Sequence, residues 1–544
     1  LSKDSLVKGT VILAVAALVA RFLGVFQRIP LVYLLEDKGM GSYGMAFNLY
    51  QNLLVIATAG IPSALSKLVS EHTGLGRHNE AERIYRAAVW FALGAGAVMA
   101  VLLYIIAPFY AAADPKAIPA TRAIAPALLM FPLIAVMRGY FQGRQHMMPN
   151  GISQIVEQVF RLVVAVGLAY ALLHVGEVEA IAGASFGGVV GGVAALAVMM
   201  YYMAKLRRRD RTAAGPSVTA SADALVRLPY KQIYGKLLRL SVPIVIYSIT
   251  VTLIYNIDSS SIHPLLSGQF DYEQRRELLG ILTGRAQSLA GIPIILAIAL
   301  SQSVVPIISS AYSSRNLEQV KLQTSRVLQL SLLSGLPAVL LIAIAARPID
   351  GAIFGYETSS FGYANGPYMI SLLTASALFQ IMMQTSGAVL MGMGKMKPLM
   401  VSVGVGIAVK LAGNFALAGQ LGVYGLLIAT GACFIAMTAF NLIVLRREIA
   451  FRVLGKRWIS LLLAVAVICA TGMPLEAWLH GAVHLFGYYR WNELVSAIAV
   501  SAWTVLLYGV LLVLFRVVTK DDLGKLPRPL QKLLGRIRRV PGSA

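Results

Sequence analysis

At 544 residues the chain is long enough for several soluble domains, yet 58% of it is hydrophobic and only 13% charged, against roughly 45–50% and about 25% in globular domains. This balance, with 49 glycines and two cysteines, excludes a disordered chain, a collagen and a disulfide scaffold. Long unbroken apolar runs, in place of short alternating strands, leave an all-α polytopic membrane protein, and the net charge of +23 then belongs to cytoplasmic loops and not to a nucleic-acid partner.

In chain order, 14 apolar segments are each long enough to cross a hydrocarbon core of about 30 Å. They cover 6–35, 42–70, 83–111, 119–143, 150–173, 180–204, 237–265, 279–311, 323–346, 366–392, 397–418, 421–445, 458–481 and 494–518. Pro30, Pro293 and Pro306 should bend the long first and eighth segments. The first run carries charges in its second half and shows no small-residue cleavage site, so it reads as a retained helix.

Charge gives an independent check on the count. With the N-terminus placed inside and the sides alternated, the inner segments hold 35 Lys and Arg and the outer loops six, namely Lys38, Lys116, Arg275, Arg276, Arg347 and Arg490. One missed helix would invert every later loop, so both termini are predicted cytoplasmic. The expected organisation is an N-terminal lobe over 1–204, a basic cytoplasmic loop over 205–236, a C-terminal lobe over 237–447, helices 13 and 14 within 458–518, and a basic tail over 519–544.

The two lobes look like a parallel repeat. Gly143 and Pro149 are six apart, as are Gly392 and Pro398, and the same offset of 249 places Arg161 on Lys410. Ile61-Pro62 and Val305-Pro306 form a weaker pair. Two six-helix bundles in repeat, plus two extra helices, suit a secondary transporter with its substrate held between the halves.

Ionisable groups inside apolar helices are costly and therefore candidates for function. Arg21 and Arg28 lie seven residues apart on one face of helix 1, and Arg285 lies in helix 8. Arg161 has Glu157 one turn earlier, an arrangement that favours a structural ion pair. Asp258 is expected to pair with Arg285 or Arg28 or to bind a cation; Lys410 is deep in helix 11. Asn52 and Gln302 would add polar lining. Three arginines against one aspartate suit an anionic substrate, since a guanidinium matches phosphate oxygens two at a time. No nucleotide-binding glycine loop and no H-E-x-x-H occur. His480 and His484 are spaced as neighbours on a helix, without a third ligand in view. Gly187/Gly191 and Gly188/Gly192 read as close helix packing, and Cys433 and Cys469 as small apolar residues.

Four stretches carry a resemblance. They are Ala20-Arg21-Phe22-Leu23-Gly24-Val25-Phe26-Gln27-Arg28; Gly60-Ile61-Pro62-Ser63-Ala64-Leu65-Ser66-Lys67-Leu68-Val69-Ser70-Glu71; Arg138-Gly139-Tyr140-Phe141-Gln142-Gly143 with Met148-Pro149; and Gln154-Ile155-Val156-Glu157-Gln158-Val159-Phe160-Arg161. Together the chain resembles the polysaccharide-flippase branch of the multidrug/oligosaccharidyl-lipid/polysaccharide (MOP) exporters, in the stage V sporulation protein B and YtgP group, related to the MurJ-like lipid II flippases. The resemblance implies two six-helix lobes around a V-shaped cavity, alternating access, and a groove for a lipid tail at the last two helices. It implies headgroup binding by the arginines of helices 1 and 8, which Arg21, Arg28 and Arg285 match. Two features of that group have no counterpart here: a basic residue around Leu53–Thr58, and an acid around Tyr43-Gly44.

The expected function is a flippase, not an enzyme, moving an undecaprenyl-diphosphate-linked sugar, foremost lipid II for peptidoglycan, across the cytoplasmic membrane. Membrane potential or an ion gradient would drive it; a monovalent coupling ion is the one small cofactor left open, and no metal is expected. The partners would be that glycan lipid and membrane lipids, with the chain a monomer and no nucleic acid bound. A flippase for a capsule, teichoic or spore-cortex precursor is the alternative, and a drug/cation antiporter a more distant one.

Overall fold

A computed structural model of the chain describes residues 6–58, 60–74, 77–213, 229–355 and 360–517. All regular structure among them is helical: α1 Leu6–Thr58, α2 Ile61–Gly74, α3 His78–Tyr110, α4 Ala117–Ile124, α5 Ala127–Gly143, α6 Met148–Leu172, α7 Glu177–Ala213, α8 Tyr230–Leu265, α9 Tyr272–Gly280, α10 Gln287–Ser313, α11 Leu317–Ile344, α12 Ala346–Ile353, α13 Ser360–Gly392, α14 Met396–Glu448, α15 Trp458–Ala482 and α16 Tyr489–Leu514. Eleven of the described helical segments are long and apolar enough to cross a membrane, and twelve if the bent stretch Tyr230–Leu265 is one span. The protein is a multi-pass membrane protein.

The expected count of 14 is reached only if two very long helices each cross twice. α1 and α14 have 53 residues apiece, about 80 Å at 1.5 Å per residue. Each contains one break: Glu36 (φ 53°) falls between the expected segments 6–35 and 42–70, and Gly422 (φ 56°) at the start of the expected segment 421–445. Elsewhere breaks fall within expected spans. Pro126 divides α4 from α5, because it offers no N–H to continue the helix.

The basic loop expected over 205–236 is narrower. α7 continues through Arg207-Arg208-Arg209 to Ala213, and α8 starts at Tyr230 behind an extended Pro229. Basic side chains at a helix C-terminus complement its dipole, which favours this extension. Residues 214–228 and the tail from 518 lie outside the described residues. Arg275 and Arg276, expected in an outer loop, instead lie in α9. Asp271 starts that helix with a reciprocal capping box, accepting from the Gln274 amide at 2.7 Å while Gln274 accepts from its own.

The chain forms two compact units, Leu1–Ser288 with Met396–Cys433, and Leu289–Lys395 with Phe434–Ala544. α10 and α14 pass from one to the other, so these divisions cut across the boundaries at 204, 237 and 447. The first unit has a core in which Tyr50, Leu65, Ile84, Leu103, Phe141 and Met199 are buried. Here α7 lies directly on α6: a Cβ at Gly187 would stand 2.7 Å from the Ala165 nitrogen, and one at Gly191 2.7 Å from the Glu157 carbonyl. The paired glycines thus give the close packing read from their spacing. The second unit has a smaller cluster of Ile294, Val339, Ala377 and Ile381, and its α15 and α16 expose Ile459, Leu462, Ile498 and Leu506. Cys433 is buried, Cys469 half-buried, and both are free thiols.

Candidate functional site

In the first unit, α1 meets α9 and the π-helical turn Ile281–Ala286 at glycines. A Cβ on Gly41 would strike the Arg276 carbonyl, one on Gly44 the Thr283 side chain, and one on Gly280 the Asp37 backbone. This close approach lets short polar groups of one element reach the backbone of the other. Thr283 Oγ1 donates to the Met40 carbonyl at 3.2 Å and to its own-helix Leu279 carbonyl at 2.8 Å.

Arg28 and Arg285 converge on this seam. From one terminal nitrogen, Arg28 donates to the Thr283 carbonyl and to Ser288 Oγ at 3.3 Å, with the guanidinium 5.8 Å from the Phe47 ring. Arg285 lies between those two partners in sequence. Its side chain is almost wholly buried and forks onto Asp37, Nε to Oδ1 at 2.8 Å and a terminal nitrogen to Oδ2 at 2.5 Å. Arg21, two turns before Arg28, is exposed on α1.

Asp37 was missed in the sequence because Glu36-Asp37-Lys38 reads as a loop between spans. In the structure the chain kinks at Glu36 and a second helical stretch starts immediately after it, where Asp37 is 2% exposed. It supplies an acid just after the first expected helix, upstream of the Tyr43-Gly44 stretch. The signal that could have found it is Gly280/Gly284, a small-xxx-small pair bordering Arg285.

Asp258 does not pair with Arg285 or Arg28. It lies fully buried against Lys410, whose ammonium donates to Asp258 Oδ1, to the Leu426 carbonyl at 2.8 Å and to Thr430 Oγ1 at 2.8 Å. Thr430 Oγ1 donates to the other Asp258 oxygen at 2.7 Å. The sequence could not choose this partner, since which helix lies beside α8 is a tertiary fact.

Glu157 holds two arginines. Arg161 approaches it from one turn along α6 at 3.5 Å, and Arg138 reaches it from α5 at 3.0 Å while also donating to Ser153 at 2.9 Å. Arg161 faces the Phe131 ring at 5.7 Å. Asn52 is buried, its Oδ1 unpaired among the described residues, and nearby in α1 Asn48 donates to Ser259 Oγ at 2.8 Å. The Gln302 side chain lies outside the described residues.

A further buried knot centres on Arg276 and Asp114, both 0% exposed. Arg276 reaches Glu177 at 2.6 Å and Asp114 at 3.6 Å; Ser42 and Tyr272 donate to Asp114 at 2.6 and 3.0 Å. It ties α9 to α1, to the α3–α4 turn and to the start of α7. In the second unit, His480 faces Glu493 at 2.9 Å and the Tyr363 hydroxyl at 3.3 Å, lining a cavity of ≈ 580 Å³ with His484 and Tyr489. No group of three side chains suited to a metal occurs among the described residues.

Residues 6–312 match the family described as "Polysaccharide biosynthesis protein", and residues 283–416 match the MatE family. The chain is 27% identical over 513 residues to the lipid II flippase MurJ of Bacillus subtilis (strain 168), covering 91% of this chain and 92% of that protein. It is 25% identical over 541 residues to stage V sporulation protein B of the same organism, covering 97% and 98%. Its fold is similar to that of a solved lipid II flippase MurJ in an inward closed conformation, with TM-score 0.64 at 13% identity over 93% of this chain and 99% of that one.

Proposed function

Since the chain belongs to the polysaccharide biosynthesis protein family, we propose that it is a flippase for a lipid-linked polysaccharide precursor, an undecaprenyl-diphosphate-linked sugar with lipid II as first candidate. The observation that carries this reading is the convergence of Arg28, from α1, on the segment that holds Arg285. A diphosphate is recognised by guanidinium forks in a poorly hydrated place, where charge-assisted bonds are strongest. Arg21 and Arg28 offer the first contacts. Asp37 holds the Arg285 fork that the diphosphate would take, so headgroup binding exchanges one anion for another. Asn52 contributes to the sugar's polar surroundings, and the lipid tail stays in the bilayer against α15 and α16.

The chain works as a monomeric transporter, with both termini on the cytoplasmic side of the cytoplasmic membrane. Two repeated lobes, 1–204 and 237–447, alternate access between its faces. A charge crossing the full potential exchanges about 2.3 kcal/mol per 100 mV, which suffices to reset a two-state carrier. A capsule, teichoic or spore-cortex precursor fits the same chemistry.

Complementation tests this reading. The wild-type chain should restore growth to cells depleted of their lipid II flippase, whereas Arg28→Ala should fail at normal membrane abundance, and Arg28→Lys should rescue poorly. Full rescue by Arg28→Ala would remove the diphosphate clamp; failure of the wild-type chain, with rescue of a strain lacking another glycan-lipid flippase, would move the substrate to the second class.

A further inference from the structure

Headgroup binding by arginines leaves two fully buried charges of the first unit, Lys410 and Asp258, without a task. Both are 0% exposed. An ammonium has three N–H donors and no acceptor. Lys410 places all three on oxygens of different kinds: the Asp258 carboxylate, the Leu426 backbone carbonyl and the Thr430 hydroxyl. Carboxylate, carbonyl and hydroxyl oxygens are the donor set that hard metal cations take.

One turn beyond Lys410, Asn414 donates its amide to Ser261 Oγ at 3.1 Å, and Ser261 lies three residues after Asp258. Asn414 is 1% exposed and its Oδ1 has no hydrogen-bond partner among the described residues. The same two helices therefore bury a further unpaired oxygen beside the cage. Several oxygens and one full negative charge are what a small monovalent cation requires, and the ammonium is the charged group that meets them here. The ammonium meets these oxygens through three directed N–H bonds and carries the same single positive charge as such an ion.

We propose that Asp258, Leu426 and Thr430 form a monovalent-cation cage whose cation is the Lys410 ammonium, so that the wild-type protein exchanges no sodium there and loss of the ammonium converts the cage into a sodium site. The carboxylate cannot stay ionised and unpaired in this interior. With the lysine truncated, the vacated stem leaves room for an ion, and the backbone carbonyl and hydroxyl remain to hold it. The consequence for transport is that Asp258 supplies electrostatic structure and no ion coupling. The cage is argued independently of which glycan lipid is carried.

The experiment measures thermal unfolding of the purified full chain in detergent, with sodium chloride replaced by choline chloride at constant ionic strength. Wild type should melt at the same temperature in both. Lys410→Ala should gain roughly 3 °C or more in saturating sodium, following a binding isotherm, and Asp258→Asn with Lys410→Ala should gain nothing. If Lys410→Ala is too unstable to purify in choline, its recovery in sodium alone carries the same meaning. A Lys410→Ala chain that behaves alike in both salts, whether folded or lost, overturns the proposal. So does a saturable sodium response in wild type, or one that survives in the double variant. Because the readout is stability, it stands or falls apart from the flippase assay.

Discussion

The turn after α5 and the turn after α13 are built alike, 249 residues apart. In the first, His146 N–H bonds to the Phe141 carbonyl at 2.9 Å, Gln145 to Gln142 at 3.0 Å and Arg144 to Tyr140 at 3.1 Å. In the second, Lys395 bonds to Leu390 at 2.9 Å, Gly394 to Met391 at 2.9 Å and Met393 to Val389 at 3.0 Å. Each is a Schellman ending with one left-handed residue, Gln145 at φ 59° and Gly394 at φ 72°. The preceding glycine is pressed against backbone in both: a Cβ on Gly143 would lie 2.7 Å from the Ser66 carbonyl, and one on Gly392 3.0 Å from the Val305 carbonyl. The first contact falls one helical turn beyond Pro62 and the second beside Pro306, the weaker pair of the repeat.

Twelve residues after each turn's proline the likeness ends. Arg161 finds its acid on its own helix, shares it with Arg138 and leaves Nε unpaired among the described residues. Lys410 finds its acid on another helix and uses every donor. Backbone geometry is alike at two places where the side-chain electrostatics differ, because a helix ending depends on a few local bonds while an ion pair depends on which element lies alongside.

The largest test of that contrast is Asp258→Ala, which strands the Lys410 ammonium and should cost about 3–5 kcal/mol. Unfolding in detergent against a denaturant should show the loss, with Asp258→Asn plus Lys410→Met recovering most of it. Next, Gly143→Ala should cost about 1–3 kcal/mol by overpacking, more than Gly392→Ala, where the opposing atoms are farther away. Equal costs would mean that the two turns sit in equally tight surroundings. Arg161→Met should cost only about 1 kcal/mol, since Glu157 keeps Arg138; a loss as large as that of Asp258→Ala would erase the distinction between the two sites. The smallest effects have opposite signs. Gln145→Gly should stabilise and Gly394→Ala destabilise, each by about 1 kcal/mol, because only glycine takes a left-handed conformation without a Cβ penalty. The melting temperatures of those two exposed variants check the signs.

Much of the fold was legible because apolar length is a local property. The runs before Lys38 and after it, and the runs on either side of Leu421, were separable by composition, and the chain kinks close to both places, at Glu36 and Gly422. Arg28 and Arg285 were legible as candidates since a charge inside an apolar run stands out by cost alone. Asp37 and Arg276 were not. They stand in short polar stretches whose composition is the same whether they end in water or in a buried ion pair, and close glycine contacts put them in the second situation.

The sequence by itself determined that this is a multi-pass helical membrane protein, where its apolar runs lie, and that a Gly/Pro spacing recurs at an offset of 249, for these follow from composition over a window and from residue spacing. Only the tertiary structure decided that Arg285 belongs to Asp37, that Glu157 is shared by two arginines, and that Asp258 belongs to Lys410. Each partner is within reach of a side chain only after helices distant in sequence have packed, and a buried charge takes whichever counter-charge that packing leaves beside it.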